Sequence, residues 1–371
     1  MADTKPTLNR PRPLPWLLDL DPYVGGESKI EGVSRIIKLA SNESAFGISP
    51  KAQKALEGLA ADFFRYPDGG CTDLRTKLAA KHNIPADKIV CGGGSDDLIS
   101  LLMRCYAGPG DEVLVSEHGF AMFPIYAKGV GATVVTAPEN NITVDVDALL
   151  ARVTPKTKIV CVANPNNPTG TYVPVSEVKR LHAALAPDVL LLLDSAYAEY
   201  IDAPDWTDGA EFVEKYENVL MLRTFSKIYG LGGMRVGWMY GPDHVIDVIN
   251  RLKSPFTVST AAQVAAVAAL DDDEFVAHAK AHNTRWRRWT METLQQLGLT
   301  VPESHCNFVV VRFPGINGHD ANSADAFLKK KGIIVRKMAG YGLPDALRIT
   351  IGTEEEMRLV VDTLGAFMGA H

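Results

Sequence analysis

Between residues 89 and 240, short apolar runs recur at 89–91, 112–116, 133–136, 158–163, 189–194, 219–223 and 235–240, and helical patterns fill most of the gaps. Val189-Leu190-Leu191-Leu192-Leu193 shows no polar alternation, which is what a strand buried on both faces requires. Strands separated by helices connect in parallel. The expected fold is therefore α/β, a large domain on a mostly parallel seven-stranded sheet covered by helices. After Pro242 the pattern changes to helices near 242–252 and 258–270 and a long helical stretch ending near 297. Runs at 308–313, 333–336 and 347–352, with helices at 323–331 and from Glu354, predict a smaller α+β domain. The expected division is 1–65 for an amino-terminal arm and part of the small domain, 66–255 for the large domain, and 256–371 for a connecting helix and the small carboxy-terminal domain. Further helices are expected near 50–61 and 72–82, and one opening at 92–96 and running through Arg104.

In a parallel sheet, ligands bind beyond the carboxyl ends of the strands. Ser226 and Lys227 fall there, just after Val219-Leu220-Met221-Leu222. A lysine so placed is a nucleophilic amine once desolvation or positive charge lowers its pKa from about 10.4. Arg235 follows eight positions later (235 − 227), with Gly230, Gly232 and Gly233 between, so the chain can fold back around a small anion. The Ser226 hydroxyl and the Arg235 fork suit a phosphate. An amine beside a phosphate clamp points to pyridoxal phosphate.

Other strand ends add to this reading. Gly92-Gly93-Gly94-Ser95-Asp96 leads into a helix amino terminus, where free N–H groups attract an anion. Asp194 ends the leucine run, and a carboxylate buried there needs a cation. A protonated pyridine nitrogen would supply one, and Tyr197, three residues on (197 − 194), can reach the pyridine 3-oxygen. The turn Asn164-Pro165-Asn166-Asn167-Pro168-Thr169-Gly170 follows another strand, although its residue types explain a turn without catalytic help.

The stretch Arg223–Gly237 resembles the lysine signature of fold-type I pyridoxal-phosphate-dependent aminotransferases, in particular the histidinol-phosphate aminotransferase group: Ser-Lys, a glycine-rich turn, then Arg-x-Gly. The resemblance runs from about Tyr23 to Gly352. It implies Lys227, Asp194 and Tyr197 as catalytic residues. It also implies that Gly94, Ser95, Asp96, Phe120, Asn164, Thr224, Ser226 and Arg235 bind the cofactor, with Asn164 donating to the 3-oxygen. Tyr66, in Arg65-Tyr66-Pro67-Asp68, is expected to reach the cofactor of a neighbouring subunit in a homodimer with shared active sites. Substrate binding would fall to Tyr23, Asn42, Arg348 on the α-carboxylate of glutamate, and Arg336 on the phosphate of histidinol phosphate. The implied reaction interconverts L-histidinol phosphate and 2-oxoglutarate with imidazole acetol phosphate and L-glutamate. The partners are a small-molecule amino donor and a 2-oxoacid. Two departures, Ser195 where the group has Glu and Glu117–Phe123 where its common branch has Pro-Thr-Tyr and a second tyrosine, keep two alternatives open. These are an aromatic amino-acid aminotransferase and a phosphothreonine-type decarboxylase. Phe120 can still stack on the ring, and His118 is read as a loop residue.

A net charge of −6 argues against nucleic acid or an anionic membrane as partner. The basic cluster Arg285-Trp286-Arg287-Arg288-Trp289 is expected to open a helix and use its tryptophans for packing. Five scattered cysteines without a CxxC pair indicate neither disulfides nor a metal site. The amino terminus lacks an apolar signal core, no apolar run approaches 18 residues, and the short arm leaves no room for a DNA-binding domain. A cytoplasmic enzyme with no membrane association is expected.

Overall fold

The computed structural model of the chain describes residues 11–21, 25–32 and 35–369. Its central sheet has seven strands in the spatial order Ile89–Gly92, Gly237–Tyr240, Val219–Thr224, Leu190–Asp194, Thr157–Ala163, Glu112–Ser116 and Thr133–Ala137. Gly237–Tyr240 alone runs against the others. The leucine run shows why both faces are covered. Leu191 and Leu193 pack into one core with Val160 and Val162, while Leu190 and Leu192 pack into another with Ile159 and Cys161. Each fully buried leucine is worth about 1.5–3 kcal/mol.

Register decides which loops meet. Ala163 pairs with Asp194 and Asp194 with Leu222, so the residues after three adjacent strands emerge side by side. Thr224 pairs with Gly237, which pairs with Gly92 on its other side, so the 92–96 loop joins the same edge.

A third core forms around the antiparallel strands Phe308–Arg312, Ala346–Thr350 and Arg336–Lys337. Val309, Val311, Leu347 and Ile349 pack there against Trp286 and Val360. The amino-terminal Ile37–Lys38 pairs in parallel with Ile333–Ile334, and Ile37 and Leu39 enter this core.

Several expected boundaries are corrected. The run 333–336 is split: Ile333–Ile334 joins one sheet, and Arg336 opens the strand Arg336–Lys337 of another rather than closing the first. Burial of Val335 made the run look continuous, since apolarity reports burial and not sheet membership. The strand expected at 235–240 starts only at Gly237, because Arg235 has a left-handed φ of 58° that interrupts the ladder. The helix expected at 50–61 stops at Ala55, and a 3-10 turn, Leu59–Asp62, follows Gly58. The basic cluster does not open a helix but lies inside Asp273–Gln296, which no Gly or Pro interrupts. Trp286 is buried there. Among the described residues, no helix is long and apolar enough to cross a membrane.

Candidate active site

At the edge where the 163, 194 and 224 strand ends meet lies a cavity of about 370 Å³, within the range of small-molecule sites. Lys227, Asp194, Tyr197, Thr224, Ser226, Arg235, Ser95, Asp96 and Phe120 all line it. The structure thus brings nine of the expected residues to one space.

Lys227 leaves the sheet two residues after Phe225, whose N–H is tied to Val236 and whose carbonyl is tied to Leu231. Burial lowers its pKa to about 8, with Arg348 acting in the same direction and Asp194 opposing. Its Nζ lies 5.6 Å from the centre of the Tyr197 ring. Gly230 lets this turn close. It adopts φ 69°, and a Cβ there would collide with the carbonyl of Gly47.

Asp194 is 5% exposed and has no ion-pair partner among the described residues. Burial raises its pKa to about 7, partly offset by the Ala196 N–H, which donates to Oδ1 at 3.1 Å, and by the charge of Lys227. A carboxylate held this way favours a cation brought by a ligand. Tyr197 is also buried, and burial holds its hydroxyl well above its ordinary pKa. Its oxygen accepts from Asn42 Nδ2 at 2.8 Å, which leaves its own hydrogen to donate.

The anion end is built from three segments. Thr224 Oγ1 donates to Ser226 Oγ at 3.0 Å, and the Ser95–Tyr106 helix begins beside them. Arg235 Nη2 binds Asp96 Oδ1 at 2.6 Å, and its Nη1 donates to the Gly232 carbonyl at 3.0 Å. The clamp arginine is therefore positioned by protein partners, and Asp96 contributes a positioning carboxylate as well as a helix N–H. Gly94 adopts φ 106°, and a Cβ there would strike the Arg235 guanidinium.

Asn164 is engaged within its own loop. Its Nδ2 donates to the Val173 carbonyl at 3.0 Å and its Oδ1 accepts from the Val173 N–H at 2.8 Å, so the carboxamide clasps the 164–173 loop. One amide hydrogen remains for another acceptor. The neighbouring Pro165 and Ala163 line the cavity.

Arg348 is buried beside the cavity. Its Nη1 donates to Asn167 Oδ1 at 2.5 Å and its Nη2 to the Ala40 carbonyl at 3.0 Å, while its Nε has no hydrogen-bond partner. Arg336 does not line the Lys227 cavity. It lines an adjoining cleft of about 640 Å³ with Lys128 and Lys337. Residues 119–122 form the shared wall, Phe120 and Met122 facing one space and Gly119 and Ala121 the other. Asn42 holds Tyr197 and is itself held by Thr350, so it acts through them rather than lining the cavity. Tyr66 is 82% exposed and stacks on Phe256 at 4.7 Å, outside this chain's cavity. Tyr23 lies outside the described residues.

Of the two departures, Ser195 faces away from the cavity, whereas the 117–123 segment contributes Phe120 and Met122 to its wall. Ser195 Oγ donates to the Asp208 carbonyl at 2.9 Å, and the buried Arg223 is balanced by Glu199 and Asp208 at 2.6 and 2.9 Å. The Nδ1–H of His118 donates to the Tyr341 carbonyl at 2.7 Å, which ties the loop bearing Phe120 to the 3-10 turn Ala339–Tyr341. Ser41, Glu43, Met122 and Asn167 also line the site and were not singled out from sequence. Asn167 sat within a noted turn, but its contact with Arg348, 181 positions away, has no local signal.

These groups fit pyridoxal phosphate: an amine with a lowered pKa, a buried carboxylate suited to a ring cation, a phenol, and hydroxyl, guanidinium and helix N–H groups at one end. The aminotransferase class I and II family model matches residues 34–364. A histidinol-phosphate aminotransferase of Paramagnetospirillum magneticum is 55% identical over 98% of this chain and 100% of its own length. One from Rhodospirillum rubrum is 53% identical, covering 97% and 98%. The crystal structure of histidinol-phosphate aminotransferase from Sinorhizobium meliloti in complex with pyridoxal-5'-phosphate superposes with a TM-score of 0.87 at 29% identity, covering 97% of this chain and 98% of that one.

Proposed function

The chain belongs to the aminotransferase class I and II family, and from that premise we propose that it interconverts L-histidinol phosphate and 2-oxoglutarate with imidazole acetol phosphate and L-glutamate. The observation that carries the choice of substrate is the pair of facing arginines, one beside the lysine cavity and one at the adjoining cleft. Arg348 is buried at the cavity and Arg336 stands opposite it on the next strand. Two cations at that edge suit an enzyme whose partners present carboxylates in one half-reaction and a phosphate in the other.

Pyridoxal phosphate would be held by Lys227, by Asp194 at the ring nitrogen, by Tyr197 at the 3-oxygen, by Phe120 on the ring face, and by Ser95, Asp96, Thr224, Ser226 and Arg235 at the phosphate. Once bound, it supplies an electron sink for the charge that develops at the substrate Cα. The neutral Lys227 amine takes the Cα proton, Arg348 orients the substrate carboxylate, and the apolar wall of Phe120 and Met122 limits water. Asn42 and Asn167 keep Tyr197 and Arg348 in place.

The enzyme is read as a homodimer with shared sites. Phe63, Phe64, Tyr66 and Phe256 are 56, 76, 82 and 46% exposed, an aromatic patch that suits a second copy of the chain and would direct Tyr66 to the partner's phosphate site. All five cysteines are free, as a reducing cytoplasm would keep them. The deciding experiment compares kcat/KM for histidinol phosphate and phenylalanine with 2-oxoglutarate as acceptor. Preference for histidinol phosphate is expected; preference for phenylalanine would replace this reading with an aromatic aminotransferase.

A further inference from the structure

We infer that Glu43 recognises the imidazole ring of the amino donor and thereby separates histidinol phosphate from phenylalanine and tyrosine, a reading that rests on the function proposed above.

Three carboxylates line the lysine cavity: Glu43, Asp96 and Asp194. Asp96 is committed to Arg235, and Asp194 is buried at the end of its strand. Glu43 belongs to the substrate side, since the Ala40 carbonyl three residues earlier accepts from Arg348. It is close enough to Lys227 for its charge to favour the protonated amine.

The backbone that presents Glu43 is held on several sides. Asn42 has a left-handed φ of 56°. Its N–H donates to Thr350 Oγ1 at 2.9 Å, and its carbonyl accepts from Asn307 Nδ2 at 3.0 Å. The same Asn307 amide reaches the Glu43 carbonyl at 3.3 Å. An asparagine in this conformation, bonded at both main-chain groups, marks a segment positioned for a task. The Glu43 side chain is 55% exposed, and its Oε1 pairs with Lys38 Nζ at 3.0 Å. That pairing uses one oxygen and leaves Oε2 to accept from a ligand.

An imidazole offers an N–H and, with an ordinary pKa of about 6.5, a substantial cationic fraction near neutrality. A phenyl ring offers neither, so with phenylalanine bound the carboxylate would lose water without gaining a partner. Sites that hydrogen-bond a substrate group discriminate strongly against analogues lacking it. The γ-carboxylate of glutamate has no attraction for Glu43, so the second half-reaction does not depend on it.

The test compares wild type with Glu43→Gln, Glu43→Ala and Glu43→Asp using histidinol phosphate, phenylalanine and glutamate as donors. Glu43→Gln and Glu43→Ala should lower kcat/KM for histidinol phosphate about 10- to 100-fold, mainly through KM, and leave the other donors within about threefold. Glu43→Asp should recover part of the loss. In a Lys227→Ala background, which cannot turn over, the calorimetric Kd for histidinol phosphate should rise by a similar factor when Glu43→Gln is added. Equal losses for all donors, or unchanged kinetics and Kd with histidinol phosphate, would overturn the inference. A wild-type enzyme that does not use histidinol phosphate would overturn the proposed function itself, a result visible before any Glu43 variant is made.

Discussion

Arg336 and Arg348 stand directly opposite each other on adjacent antiparallel strands. Like charges so placed repel, and an anion between or beside them relieves the cost. Arg348 is tied to Asn167 and Ala40, and Arg336 borders the adjoining cleft. Arg336→Ala should therefore lower kcat/KM for histidinol phosphate by roughly 10- to 150-fold, about 1.5–3 kcal/mol, and change the glutamate half-reaction much less. Single-turnover measurement of each half-reaction checks this. Equal losses would make Arg336 structural or a shared carboxylate ligand.

The pH dependence of cofactor uptake should follow Lys227. Its pKa is lowered to about 8, by burial first and Arg348 second, and only the neutral amine attacks an aldehyde. Uptake of pyridoxal phosphate by the apo chain should accelerate as pH rises through about 8 and level off near 9. Arg348→Met removes one cause of the lowering and should move the midpoint upward. Lys227→Ala should abolish the visible absorbance of the attached cofactor and cut turnover about 10³-fold or more, with circular dichroism unchanged.

Asp194 sets function against stability. Its pKa is raised from 3.8 to about 7, so the folded apo chain favours the neutral acid. The stabilisation linked to that proton is fully present below about 3.8 and is lost as pH rises through about 7. Asp194→Asn should therefore raise the melting temperature of the apo chain at pH 8 while lowering kcat about 10²-fold or more. Calorimetric scans at pH 5 and pH 8 separate the two effects, since the gain should shrink at pH 5. A variant equally stable to wild type at both pH values would contradict the burial argument.

Sharing of the active site can be tested by complementation. Tyr66 projects from the chain surface beside Phe256 rather than into its own cavity. Tyr66→Ala and Lys227→Ala chains, each nearly inactive, should regain activity when mixed, because one hybrid site in each heterodimer carries both wild-type residues. At equal concentrations, about one quarter of all sites would do so under random exchange. No recovery after subunit exchange is verified by native mass spectrometry would count against a shared site.

Much of the fold was legible because burial leaves a local trace. The leucine run before Asp194 could only be a two-sided strand, and Asp194 stood out because an acid at its end is costly without a cation. The lysine stretch carried its own order of Ser, Lys, Gly and Arg. Arg336 was misplaced at the end of a strand for the same reason that the other runs were found: an apolar stretch reveals that residues are buried, but not which sheet they join.

The amino-acid sequence by itself determined the seven strands, the polar residues at their carboxyl ends and the lysine's placement, since each follows from side-chain types over a few adjacent positions. Tertiary structure alone decided that Asn42 holds Tyr197 across 155 positions, that Asp96 holds Arg235 across 139, and that Asn167 holds Arg348 across 181. Those pairings depend on sheet order and register. A hydrogen bond a few ångströms long is made by whichever groups the packed cores bring together, and no local pattern encodes that meeting.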